Sequence, residues 1–414
     1  MRTVHEMPPG CSPALRLLAE DGRVRTRKPI VIAVAIAARL GLARAHTLWP
    51  NAAAPAIAVD PHTAAAEWLR RTFETDPAAP RDSGARGTLK RRLGPRTWNA
   101  LRAGAVLTGR APRWLIEACQ RALGGELEDP SLALYSPSGS PLSKVLCFVF
   151  ATGASEPSAV VIAMADPKQS ARLRREFEAV EAVRDMLPAE SLLRAALPLE
   201  PLAEEERDGD LVMIVPPDPL AASTGSVDRV RALAWLATFQ AETATGALSW
   251  NHDADRGELI AVEQAWGALR PGALDSVSAA VAARFAGLGG RSVPRVASHG
   301  DFWSGNIAGD AGRLRVYDWE WAEAGQPPFH DVWTYELAEL AAGRDRSRAA
   351  VEVALGRVRE RLGAAGLDPG FAAPTLCSTA ARLAVRIRLA TGVAGPAEVA
   401  MGELMDAAEG IVRS

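Results

Sequence analysis

Between Ser131 and Val227 the spacing of apolar residues switches from strand-like to helical and back, and that order limits the fold more than any other feature. LALYSPSGSPLSKVLCFVF, SAVVIAMA and LVMIVPP hold short apolar runs bounded by turn formers, the pattern of strands in one small sheet. Between the second and third lies Gln169 to Leu187, with Leu173, Phe177, Val180, Val183 and Leu187 three or four residues apart, which puts them on one helical face. The third run ends in Pro216, Pro217 and Pro219, which cannot continue a strand ladder. From Val227 onward nearly everything repeats with a helical period, except an irregular stretch over about 293–331. The reading is an α+β chain: a small sheet lobe over 131–215, a hinge over 216–226 and a helical lobe over 227–414.

Residues 1–130 read as a mostly helical extension of unassigned role, with helical stretches at Pro61–Thr72 and Thr97–Leu123, the latter broken at Gly109–Pro112. The apolar run Ile30–Ala43 is too short for a bilayer span and is interrupted by Arg39. No membrane span is expected, and a protein partner for the extension stays open.

Composition narrows the function classes. A net charge of −2 gives no basic field for nucleic acid or an anionic membrane. The four cysteines lie far apart, so a disulfide framework is not expected and a reducing cytoplasm is the simplest location. Alanine and arginine richness suggests a GC-rich bacterial source. The scarcity of lysine, present only at positions 28, 90, 144 and 168, matters for the site.

The irregular stretch reads SHGDFWSGNIAGDAGRLRVYDWEWAEAGQPPFHDVW. His299, Gly300 and Asp301 lead a loop, Asn306 follows Asp301 by five residues, and the short run LRVY carries Asp318 at its end. Phosphoryl transfer from a nucleotide needs oxygen ligands for Mg²⁺ and a carboxylate to orient or deprotonate the attacking hydroxyl. Asp301 suits the carboxylate task, Asn306 and Asp318 the metal. His299 reads as support for the loop backbone. Glu320 is open between aiding the metal and pairing with a cation, and Asp331 reads first as a helix N-cap. Trp303, Trp319 and Trp321 read as core, with Trp303 also placed to shape an acceptor site. If they face the cleft, Asp301, Glu320 and Glu323 favour a cationic or polyhydroxylated acceptor.

SHGDFWSGN followed by VYDWEWA resembles the signature of the aminoglycoside phosphotransferase and choline kinase family, relatives of the protein kinases. The match falls on His299, Gly300, Asp301, Asn306, Asp318 and Glu320, and the resemblance covers about residues 131–414. It implies a protein kinase-like bilobal fold and transfer of the γ-phosphoryl group of ATP, or GTP, to a hydroxyl of a small molecule of aminoglycoside, sugar or amino-alcohol type. It also implies that Asp331 braces the catalytic loop.

In such a fold the small lobe supplies a phosphate loop, a lysine and a helical glutamate. The candidates are Gly139 and Ser140 in SPSGSPLS, Lys144, and Glu176, with the backbone at Val215 for the adenine. The pattern departs at Ile162 and Ala163, where relatives carry the lysine. That departure supports an alternative reading, a catalytically weak or inactive kinase-like protein that binds nucleotide or a partner. A metal-dependent hydrolase using His299, Asp301, Asp318 and His330 is the third reading, weakened by the lack of a paired-histidine spacing.

Overall fold

The computed structural model describes residues 113–414 except 126, 129, 136–143, 165–166, 208–209, 221–226, 311, 344 and 392–395; before residue 113 it describes only four strand segments. The chain forms two compact units, Met1–Arg174 with Leu199–Ala222, and Arg175–Pro198 with Ser223–Ser414.

The first unit is built on a nine-stranded antiparallel sheet. In chain order its strands are β1 (Arg25–Thr26), β2 (Arg44–Trp49), β3 (Ile57–Val59), β4 (Gly104–Thr108), β5 (Ser131–Tyr135), β6 (Lys144–Phe150), β7 (Ala159–Met164), β8 (Ala203–Arg207) and β9 (Asp210–Val215). Their order across the sheet is β1-β4-β2-β3-β5-β6-β7-β9-β8. Helix α1 (Arg113–Leu123) buries Leu115, Ala118 and Cys119, spaced for one face, against Val145, Cys147 and Val149 of β6 and Val161 of β7. Alternate residues of a strand share a face, so β6 gives this side of the sheet every second side chain.

Most of the extension, expected to be mostly helical, lies outside the described residues. Its described parts ahead of α1 are strands, and β4 falls inside the stretch read as helical from Thr97. GAVLT carries β-branched Val106 and Thr108 and a leading glycine, which favour an extended chain over a helix, and pairing with β2 satisfies its backbone. The helix expected at Pro61–Thr72 and the run Ile30–Ala43 lie outside the described residues. Among the described residues no helix is long and apolar enough to cross a membrane. Cys119, Cys147 and Cys377 are buried free thiols.

Helix α2 (Ser170–Met186) contains the division between the units. In the second unit, Val180, Val183 and Leu187 join a core built mainly from α3 (Arg229–Glu242), α4 (His252–Leu269), α5 (Leu274–Ala286), α6 (His330–Ala342), α7 (Arg348–Ala364), α8 (Ala372–Thr391) and α9 (Pro396–Arg413). Leu233, Leu236 and Phe239 face inward on α3, with Trp235 beside them. Trp235 stacks on Phe302 at 5.6 Å, and Phe239 meets Trp319 edge-on at 5.6 Å. These contacts fasten the irregular stretch to the helical core. Short antiparallel pairs build the stretch, β12 (Val296–Ser298) with β15 (Glu323–Gln326) and β13 (Ile307–Gly309) with β14 (Leu314–Val316), and its first strand β11 (Ser292–Pro294) pairs with β10 (Ala247–Ser249) from between α3 and α4. The fold class is α+β.

Candidate active site

The loop leaves β12 through Gly300, whose φ is 79°. A Cβ at that position would stand 2.3 Å from the Trp321 carbonyl oxygen, so backbone conformation and space both require glycine. Asp331, buried at 1% exposure in the first turn of α6, holds the loop from behind. Its Oδ2 accepts the His299 N–H at 2.7 Å, while Oδ1 accepts the Gly300 N–H at 2.8 Å and the Ser298 hydroxyl at 3.1 Å. The N-cap position belongs to Phe329 rather than Asp331; both Asp331 oxygens are spent on the loop.

His299 is fully buried. Its Nδ1 accepts the Asp301 N–H at 3.2 Å, which puts the ring proton on Nε2 for donation to the Tyr317 carbonyl at 2.9 Å. Burial pushes the imidazole below its ordinary range, against the charges of Asp331, Asp301 and Asp318. The ring packs on Trp319 at 4.5 Å. With both nitrogens engaged, His299 has no lone pair for a metal. His330 contacts Thr379 at 2.9 Å and Glu258 at 3.0 Å through its two nitrogens. The paired histidines of a metallohydrolase are therefore not offered by these two residues.

Asn306 Nδ2 donates to Asp301 twice, to Oδ2 and to the backbone carbonyl, both at 2.9 Å. The Asn306 carbonyl accepts the Tyr317 N–H at 2.8 Å, which ties the loop to the turn that carries Asp318. Burial pushes the Asp301 carboxyl up; the Asp318 charge adds to this, while His299, Arg386 and the Asn306 bond oppose it. Asp318 has a φ of 67° and is the only non-glycine residue with positive φ among the described residues. Asp tolerates this region better than most residues, and such strain gathers at functional sites. No described donor engages Asn306 Oδ1, and this amide oxygen and the Asp318 carboxylate are both donors of the type a hard cation takes. Among the described residues no group of three or more His, Cys, Asp or Glu could hold a metal, so a Mg²⁺ here would complete its shell with phosphate and water oxygens.

The other candidates fall on several elements. Glu320 is half-buried in the turn after Asp318. Gly139 and Ser140 lie outside the described residues. Lys144 begins β6 opposite Met164, and Ile162 is paired with Leu146 and Met213 within the sheet. Val215 ends β9, and the following Pro216, Pro217 and Pro219 have no N–H to donate. Glu176 is buried on α2, on the second unit's side of the division.

No family model matches the chain, and neither does any curated protein sequence. Solved structures are similar to it at low identity. Aminoglycoside phosphotransferase APH(4)-Ia, as a thermostable mutant with ADP and hygromycin B, is 15% identical over 71% of this chain and 97% of its own, with a TM-score of 0.44. The apoenzyme of macrolide 2'-phosphotransferase MphH from Brachybacterium faecium is 20% identical over 70% and 96%, with a TM-score of 0.42. Glucosamine kinase with glucosamine, ADP and inorganic phosphate is 18% identical over 66% and 81%, with a TM-score of 0.35.

The structure adds residues that the sequence reading did not single out. Arg386 of α8 donates to the Gly300 carbonyl and lies over the Trp321 ring at 4.7 Å. Burial lowers its pKa, while Asp301, Asp331 and Glu323 oppose the shift. Arg382, one turn earlier, approaches Glu258 Oε1 at 3.4 Å. Trp319 is core, its Nε1–H donated to the Val316 carbonyl at 2.9 Å. Trp321 instead is half-buried and lines a pocket, which corrects its reading as core. Arg382 and Arg386 line that pocket beside Glu323. The available signal was the i, i+4 arginine pair inside the apolar run ARLAVRIRLA.

Proposed function

We propose that the chain is a Mg²⁺-nucleotide-dependent phosphotransferase that moves the γ-phosphoryl group of ATP or GTP to a hydroxyl of a small molecule. The observation that carries this reading is the bond from Asn306 Nδ2 to Asp301 Oδ2 at 2.9 Å. One short loop thereby presents a carboxylate fixed for a hydroxyl beside an amide oxygen left for a cation.

Bound Mg²⁺ would be held by Asn306 and Asp318 and would neutralise charge developing on the phosphates. Asp301 Oδ1, which takes no hydrogen bond from a described donor, accepts the acceptor hydroxyl and aligns its oxygen for attack. The new oxygen–phosphorus bond forms as the bond from the γ-phosphorus to its bridging oxygen breaks, releasing nucleoside diphosphate; the hydroxyl proton passes to Asp301 and on to solvent. His299 and Asp331 act as positioning residues through the loop backbone. Lys144, Gly139, Ser140, Val215 and Glu176 are proposed for the nucleotide on residue type and place in the chain.

The missing lysine at Ile162 and Ala163 favours a second reading, a nucleotide-binding or interaction module without turnover. Phosphoryl transfer from γ-labelled ATP and GTP to a panel of hydroxylated acceptors separates the two. Turnover in wild type that falls roughly 10²–10⁴-fold in Asp301→Asn supports the enzyme. Nucleotide binding with no transfer to any acceptor supports the module.

A further inference from the structure

Arg382 and Arg386 line a pocket of the second unit together with Ser298, Gly300, Trp321 and Glu323. Gly300 directly precedes Asp301 in the chain, so the catalytic loop forms one wall. Like charges four residues apart on a helix repel, and withdrawing them from water raises the cost. Described carboxylates balance the pair only in part. Arg386 uses a guanidinium with five N–H donors for one hydrogen bond, to the Gly300 carbonyl, and forms no ion pair with a described carboxylate. Arg382 reaches only Glu258 Oε1 at 3.4 Å, an oxygen already held by His330 at 3.0 Å. Its Nε is buried without a partner among the described residues. The nearby carboxylates are largely committed: Asp331 spends both oxygens on the loop, Asp301 one on Asn306, Glu258 pairs with His330 and Arg382, and Glu323 is exposed on β15.

A planar fork of N–H donors over an aromatic face matches a carboxylate and disfavours an ammonium group. We infer that this pocket selects acceptors bearing both a carboxylate and a hydroxyl, with the carboxylate held between Arg382 and Arg386 and the hydroxyl left for Asp301. The inference rests on the phosphotransferase reading and names its acceptor class.

The test is calorimetric titration of the full chain with matched probes that differ in charge: glucuronate, glucose and glucosamine, then glycerate, glycerol and 2-amino-1,3-propanediol. Within at least one set the carboxylate binds most tightly. Arg386→Gln and Arg382→Gln each weaken that binding roughly tenfold to a hundredfold, the scale of a charged hydrogen bond. Arg386→Lys recovers only part, because lysine lacks the fork. Arg382→Gln leaves the loop contact untouched and keeps the test open if Arg386→Gln does not fold. A tighter amine, a carboxylate no better than its alcohol, unchanged affinity in both glutamine variants, or no carboxylate binding at millimolar concentration overturns the inference. The same preparation is tested for stabilisation by Mg²⁺ with ATP or GTP. Absence of that effect brings down the phosphotransferase reading, and the titration still decides the carboxylate site.

Discussion

Asp331 Oδ2 accepts the backbone N–H of His299 at 2.7 Å across 32 residues of chain. The first turn of α6 thus fixes the backbone that presents Asp301. The geometry makes Asp331→Asn informative, since an amide keeps one accepting oxygen where the carboxylate serves the His299 and Gly300 amides with two different oxygens. One buried N–H is then left without a partner. The expected cost is about 1–3 kcal/mol, read as a lower chemical-denaturation midpoint together with reduced transfer activity.

Gly300→Ala is expected to destabilise more than an ordinary loop substitution. The new Cβ would lie 2.3 Å from the Trp321 carbonyl oxygen, at a φ of 79°. Backbone strain alone costs on the order of 1–3 kcal/mol. A melting temperature matching wild type contradicts the loop geometry described above.

The buried Glu258 carboxyl sets an acid limit on stability. Burial raises its pKa, but the charge and hydrogen bond of His330, then Arg382 and Ser378, outweigh burial and bring it from 4.5 to about 2. A depressed folded-state pKa stabilises above the unfolded value, and that stabilisation is lost as pH falls from 4.5 through about 2. Its size is roughly 3 kcal/mol. Glu258→Gln is expected to be less stable than wild type at neutral pH, with the gap closing as pH falls through this window. Denaturant unfolding across the window checks both, and a constant gap contradicts the ion pair.

The parts of the site that the sequence displayed are those whose contacts are local. Asn306 bonds Asp301 five residues away, and His299 bonds it at two, so spacing alone carried the arrangement. The apolar run of β6 and the helical period of α2 and α3 likewise follow from neighbouring residues. What stayed hidden depends on distant packing. Arg386 meets Gly300 from 86 residues further on and Arg382 meets Glu258 across 124, and no periodicity says which face of α8 turns to the loop. β4 was misread because a run as short as GAVLT takes its state from the strand it pairs with, here β2.

The measurement that bears most directly on the phosphotransferase reading is a thermal-shift titration with ATP and GTP, each with and without Mg²⁺, on wild type and Asp318→Asn. Asparagine tolerates the left-handed backbone that Asp318 adopts, so the variant removes a charge without adding strain. A ligand that binds the folded state raises its stability by mass action, about 2.7 kcal/mol at a hundred times its dissociation constant. One Mg²⁺-nucleotide is expected to stabilise wild type, and Asp318→Asn is expected to lose the Mg²⁺-dependent part. No stabilisation of wild type by either nucleotide at millimolar concentration, or an undiminished Mg²⁺ effect in Asp318→Asn, would contradict that reading.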